Sequence, residues 1–440
     1  MTRILFSILF LPSFLIAQHT ITGVFNPPES YNVAILYKVN PTISDYVANT
    51  KINKESGSFK FELDSTATKG IYRIVYALPQ EDYNFDIIYN GNEDIELKFN
   101  PETGVKYQKS HENKLLASYT NSMSMVTQSI SNFYRKRSTD TTALSTIFKT
   151  QKETQQKFES LSEGTIANHF IRANRPFTPK KPVDPETYVS LLKKHYFDHV
   201  DFNNPMLQSS TFLEERMLNY VFGMASNASN EIEAYKKHIS SFNKKIENVS
   251  LEVKRNLLSL LWEQMADLKL EEVANYIAEN YLMDIAVELN DQELLHALIL
   301  YKDTSIGNVA PDFQWDTKDG KSQKKLSELS TAEIYVLAFW STTCSHCLDD
   351  IPQLHEFVNT LNDKVKVIAI ALEDEPYKWN TLTHELSSFL NIYGNDKWDN
   401  TIALSYGVTS TPTFIVLDKN KTIVAKPNDI EELKALIAEN

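Results

Sequence analysis

The chain has 440 residues, 42% of them hydrophobic, and a formal net charge of −13. That length provides for two to four domains with real apolar cores. No basic stripe interrupts the acidic balance, which argues against nucleic acid as a partner. From Ile306 onward 12 Lys and no Arg stand against 20 Asp and Glu, the mark of a well-solvated surface.

At the N-terminus, Arg3 precedes an apolar run from Ile4 to Ile16, broken by Pro12 and Ser13 and followed by Ala17-Gln18. This pattern predicts a cleavable signal peptide over residues 1–17, because the run is short for a membrane span. No cysteine follows to carry a lipid anchor. The mature chain is therefore expected to be exported, to the periplasm or cell envelope.

Residues 18–105 read as β-structure. Val33, Ile35, Tyr37 and Val39 alternate, as do Phe59, Phe61 and Leu63, then Phe85, Ile87 and Tyr89, then Ile95, Leu97 and Phe99. Turn signals at Asn26-Pro27-Pro28, Ser56-Gly57-Ser58 and Asn90-Gly91-Asn92 separate them. Six or seven short strands predict an antiparallel sandwich or small barrel.

Residues 106–303 change to helical periodicity, giving an expected central all-α domain. Helices are predicted at 115–137, 142–161, 166–173, 185–199, 212–224, 231–246, 251–268, 270–282 and 291–301. A Pro-rich break, Pro176-Phe177-Thr178-Pro179-Lys180-Lys181-Pro182, interrupts the series. His195 and His199 would share a helix face at i, i+4, but no third ligand accompanies them, so no metal site is expected.

Residues 304–440 alternate strand and helix. Strands are predicted at 334–340, 365–371, 413–417 and 422–425, and helices at 345–361, 381–390, 401–406 and 429–439. This is an α/β unit. At the end of its first long strand lies Phe339-Trp340-Ser341-Thr342-Thr343-Cys344-Ser345-His346-Cys347, which holds both cysteines of the chain.

Several kinds of chemistry compete for this Cys-x-x-Cys pair. A structural disulfide closing so short a loop constrains the unfolded chain little. Zinc would need two more ligands, and no second Cys-x-x-Cys or His-x-x-x-His exists. Haem attachment needs His at 348, where Leu348 stands. A peroxidase of the peroxiredoxin type would want Pro and Thr where Leu337 and Ser341 are found. A redox-active dithiol at a strand-to-helix junction fits best. Unpaired N–H groups and the helix dipole favour a thiolate at such a position. Neither a cofactor nor a metal is called for.

Residues 306–440 resemble the TlpA/ResA-like thioredoxin family of envelope thiol–disulfide oxidoreductases. The resemblance is carried by Val309-Ala310-Pro311-Asp312-Phe313, by Phe339-Trp340 with the Cys pair, by Asp350-Ile351-Pro352, and by Gly407-Val408 with Thr411-Pro412-Thr413. It implies a C-terminal thioredoxin-like fold and a cis Thr411–Pro412 bond facing the dithiol. Cys344 would attack and Cys347 resolve. Asp350, where the family usually has Glu, would manage the proton of the buried thiol, or else be an ordinary solvated helix acid. Trp340 would wall the site, with Ser345 and His346 between the cysteines, and His346 also occurs in the oxidising DsbA-type dithiol. The implied partners are exported proteins with thiols or disulfides and a membrane electron carrier for recharging.

The expectation is thus a multidomain exported thiol–disulfide oxidoreductase, more a reductant than a DsbA-like oxidant. The alternative is a binding or sensing envelope protein whose N-terminal region is the functional part and whose dithiol is a redox accessory.

Overall fold

A computed structural model describes residues 19–41, 43–80, 82–224, 230–316, 322–361, 364–373 and 376–439. The expected signal peptide lies outside these residues. The chain divides into two compact units, Met1–Leu260 and Leu261–Asn440.

Among the described residues the first unit begins with eight strands: β1 His19–Phe25, β2 Val33–Lys38, β3 Asp45–Lys51, β4 Ser58–Leu63, β5 Gly70–Val75, β6 Asn84–Tyr89, β7 Ile95–Asn100 and β8 Gly104–Lys109. They form two four-stranded sheets, ordered β4-β1-β7-β8 and β3-β2-β5-β6. Ile21, Phe25, Phe61 and Leu97 of one sheet and Leu36, Tyr72, Ile74 and Ile87 of the other share one core. This is a sandwich, with three departures from what the sequence predicts. The β1–β7 pair is parallel while its neighbours are antiparallel, so the sandwich is not wholly antiparallel. In β2 the inner face carries Ala34 and Leu36, while Val33 is 40% exposed. That strand is apolar on both faces, and alternation alone cannot choose which one turns inward. Strand β8 also runs past the expected boundary at residue 105.

Helices follow: α1 His111–Arg135, α2 Thr141–Leu161, α3 Ala167–Ala173, α4 Pro185–Lys194, α5 Pro205–Gln208, α6 Phe212–Val221, α7 Glu231–Lys245 and α8 Leu251–Asp267. Short polar side chains start several of them. Asp140, Asp184 and Asn230 each accept a hydrogen bond from the backbone N–H three residues on, satisfying a donor the helix itself leaves unpaired. Buried Asn113 of α1 accepts from the Ile88 N–H at 2.9 Å and donates to its carbonyl at 2.7 Å. It thereby completes the outer edge of β6, which would otherwise bury two unpaired peptide groups.

Helix α4 ends at Lys194, so His195 and His199 do not share a helix face. His195 instead pairs with Asp198 at 2.6 Å. Among the described residues no group of three or more His, Cys, Asp or Glu side chains is placed to hold a metal.

In the second unit, α9 Glu271–Ile277 continues through a π-helical turn into α10 Met283–Glu288, and α11 Gln292–Asp303 closes the helical part. Glu271 ties these helices to the α/β part of the unit, accepting from the Ile306 N–H at 2.7 Å and from Lys426 Nζ at 2.6 Å. Next come strands β9 Gln314–Asp316, β10 Gln323–Lys325, β11 Ile334–Trp340, β12 Val365–Leu372, β13 Leu390–Gly394, β14 Thr413–Asp418 and β15 Ile423–Ala425. The helices of this part are α12 Ser345–Val358, α13 Pro376–Thr383, α14 Thr401–Ser405 and α15 Ile430–Glu439.

β11 is the centre of a five-stranded sheet ordered β13-β12-β11-β14-β15, parallel to β12 and antiparallel to β14. Its alternation serves two cores. Tyr335, Leu337 and Phe339 face one cluster, and Val336, Ala338 and Trp340 face another containing Cys347, Ile351 and Leu354 of α12. A strand buried on both faces needs the unbroken apolar run that the sequence shows. β13 falls where the sequence suggested the end of a helix, and α13 lies earlier than expected. Leu386, Phe389 and Leu390 have helical spacing, but Leu390 pairs with Ile368 of β12, a contact between segments distant in sequence.

Candidate functional site

Strand β11 delivers the chain to the top of the sheet, and Ser341-Thr342-Thr343 turns it into α12. Cys344 is the N-cap of that helix. Its Sγ accepts a hydrogen bond from the Cys347 N–H at 3.2 Å, filling the role an N-cap oxygen usually has. The same thiol donates to the Thr411 carbonyl at 3.3 Å. Thr411 precedes Pro412, and the bond between them is cis. β14 leaves directly from this turn, with Thr413 opposite Phe339 in the register. Adjacent strands thus bring the Thr-Pro turn beside the dithiol.

The two thiols are free and differ in setting. Cys344 is partly exposed and Cys347 is fully buried. Burial pushes the Cys347 thiol well above its ordinary range, and hydrogen bonding with Cys344 adds to this. A protonated, shielded thiol thus lies one helical turn from a partly exposed one.

The remaining expected residues take these places. Trp340 is 1% exposed, and its indole Nε1 has no hydrogen-bond partner among the described residues. Ser345 and His346 are exposed on the first turn of α12. Asp350 is half-buried on the same helix. Desolvation raises its carboxyl above the usual range, against the pull of His346 and Lys434. Thr411 and Pro412 are half-buried beside Cys344. A cavity of about 200 Å³ adjoins Cys347, lined by Trp340, Ile351, Pro352, Leu382 and Leu386 among others. It is large enough for one apolar side chain.

Glu373 was missed by sequence reasoning. It follows β12, is 3% exposed, and accepts a hydrogen bond from the Thr342 N–H. Ser341, also buried, accepts from the Cys344 N–H at 3.2 Å through its carbonyl. A buried carboxylate at the end of a parallel strand therefore holds the loop that presents Cys344. The available signal was an acid directly ending the apolar run Val365–Leu372.

Residues 332–423 match the family model described as thioredoxin-like. The C-terminal α/β domain is thioredoxin-like. The capping cysteine, the buried second cysteine and the facing proline turn all lie within the matched residues. Similar solved structures include a thioredoxin-like protein from Bacteroides caccae, 21% identical over 60% of this chain and 97% of that one, with a TM-score of 0.42. The thioredoxin domain of a thiol–disulfide oxidoreductase from Bacteroides vulgatus is 20% identical over 30% of this chain and 96% of its own, with a TM-score of 0.27. A thiol:disulfide interchange protein from Bacteroides sp. is 21% identical over 30% and 88%, also at 0.27. No curated protein matches the sequence.

Proposed function

We propose that this protein is an exported thiol–disulfide oxidoreductase that reduces disulfides in other exported proteins. The observation that carries the reading is the placement of Cys344 Sγ at a helix N-cap, 3.3 Å from the carbonyl of the residue before Pro412. There an incoming disulfide meets the more exposed sulfur next to the backbone of the Thr411-Pro412 turn, on which an extended substrate segment can pair.

The chemistry balances over two steps. The Cys344 thiolate attacks one sulfur of the substrate disulfide, and the other sulfur leaves as a thiolate and takes up a proton. Cys347, deprotonated as the mixed disulfide forms, then attacks Cys344 Sγ and releases the second substrate thiol. The substrate gains two electrons and two protons, and Cys344 and Cys347 become a disulfide. Asp350, three residues past Cys347 on α12 and raised by burial, is the group we assign to take the Cys347 proton. A membrane electron carrier would return the two electrons.

The signal-peptide pattern of residues 1–17 supports export, and the family resemblance supports the reducing direction. The test is reduction of insulin disulfides by the full chain with dithiothreitol, together with the reduction potential of the Cys344–Cys347 couple. Catalysis and a low potential are expected. A potential in the strongly oxidising range would reverse the direction. An inert full chain would remove the activity.

A further inference from the structure

The Pro-rich break of the helical region, which the dithiol chemistry does not use, forms one wall of a cleft. This cleft of about 690 Å³ lies between α2 and residues 175–182, a volume suited to one small molecule. Its wall is held in place. Pro176, Pro179 and Pro182 restrict the backbone, and Pro179 is buried. Thr178 Oγ1 donates to the buried Gln151 side chain at 2.8 Å. The Phe177 ring stacks on His195, with centroids 4.3 Å apart and planes 9° from parallel. Buried Phe148 contributes an apolar surface from α2.

The charge of the cleft is opposite to that of the chain. Lys149, Lys152, Lys180, Lys181 and Arg175 line it, with Glu159 as the one acid among the described lining residues. Glu159 is already committed. Arg175 grips it with two hydrogen bonds, at 2.7 and 2.5 Å, and Gln155 Nε2 donates to it at 2.7 Å. Lys149 has only an exposed contact with Glu153 at 3.7 Å. No ion pair is formed by Lys152, Lys180 or Lys181 among the described residues. Several ammonium groups around one concavity, in a chain of net charge −13, leave a local positive field that Glu153 offsets only in part. Ammonium groups bind phosphate as compact point charges, while the planar fork of Arg175, which suits carboxylate and phosphate alike, is taken up by Glu159.

We propose that this cleft binds a small soluble organic phosphate, with the phosphate among Lys149, Lys152, Lys180 and Lys181 and its ring or chain against Phe148 and Phe177. The site stands apart from the dithiol reading and does not depend on it. The test is titration of the full-length protein with 1-naphthyl phosphate, by calorimetry and saturation-transfer NMR, at low and high NaCl. One saturable site per chain is expected, weakened by salt and at least tenfold weaker in Lys152→Glu/Lys181→Glu. That variant should keep the wild-type rate of insulin reduction and the wild-type circular dichroism. Phe177→Leu should weaken 1-naphthyl phosphate and leave inorganic phosphate unchanged. The proposal is overturned by absence of saturable binding or by equal affinity in the charge-reversed variant. It is also overturned by equal binding of neutral 1-naphthol, or by preference for phosphatidylglycerol vesicles over the soluble phosphate.

Discussion

Cys344 Sγ donates to the carbonyl oxygen of Thr411 at 3.3 Å, across 67 positions of sequence. The same sulfur accepts the Cys347 N–H. One atom is thus held between the start of a helix and the start of a strand, and it is the more exposed sulfur of the pair.

This asymmetry predicts which variant traps substrates. Cys347→Ala removes the resolving thiol and leaves the nucleophile at its helix cap, so mixed disulfides should accumulate as high-mass bands that collapse on reduction. Cys344→Ala leaves only a buried thiol and should trap at least tenfold less. Equal trapping by the two variants would reverse or abolish the assigned roles.

The raised Cys347 thiol has a pH consequence. Its folded value lies above its unfolded value of about 9, so between the two values the unfolded chain is the more ionised and binds fewer protons. Stability of the reduced protein should fall as pH rises above about 9 and be unaffected by this group below that. Urea denaturation at pH 8 and pH 10 checks it, and Cys347→Ala should show the smaller loss. In the folded protein at pH 8, iodoacetamide should modify Cys344 well before Cys347.

Glu373 should matter to both stability and rate. Glu373→Ala leaves the buried Thr342 N–H without its partner, a loss of ~1–3 kcal/mol. The loop presenting Cys344 should loosen with it, slowing insulin reduction. Glu373→Gln keeps an acceptor oxygen and should restore most of both. If the Gln variant fares no better than Ala, the charge rather than the hydrogen bond is what the loop requires.

Asp350→Asn should separate the two chemical steps. Attack by Cys344 is untouched, whereas deprotonation of Cys347 loses the acid–base group proposed for it, and such groups contribute at least ~100-fold when they act directly. A tenfold or larger slowing of resolution is expected, seen in quenched-flow gels as a longer-lived mixed disulfide. Unchanged resolution would make Asp350 a solvated helix acid.

Much of the C-terminal domain was legible from local pattern. The run Ile334–Trp340 has only one way to be buried on both faces, and the strand-to-helix change at Cys344 fixes where the dithiol sits. The tertiary structure decided what depends on partners far away in sequence. β13 exists because Leu390–Gly394 pairs with β12, and β1 lies parallel to β7 although the strands around it are antiparallel. β2 turns Ala34 and Leu36 inward because the facing sheet offers its core there. Glu373 acquires its role only when β11 and β12 pack and bring the Thr342 N–H to it. Local sequence states the periodicity, caps and chemistry of a segment, because those act over a few residues. Which face is buried, and which carboxylate meets which N–H, is settled only when distant segments pack.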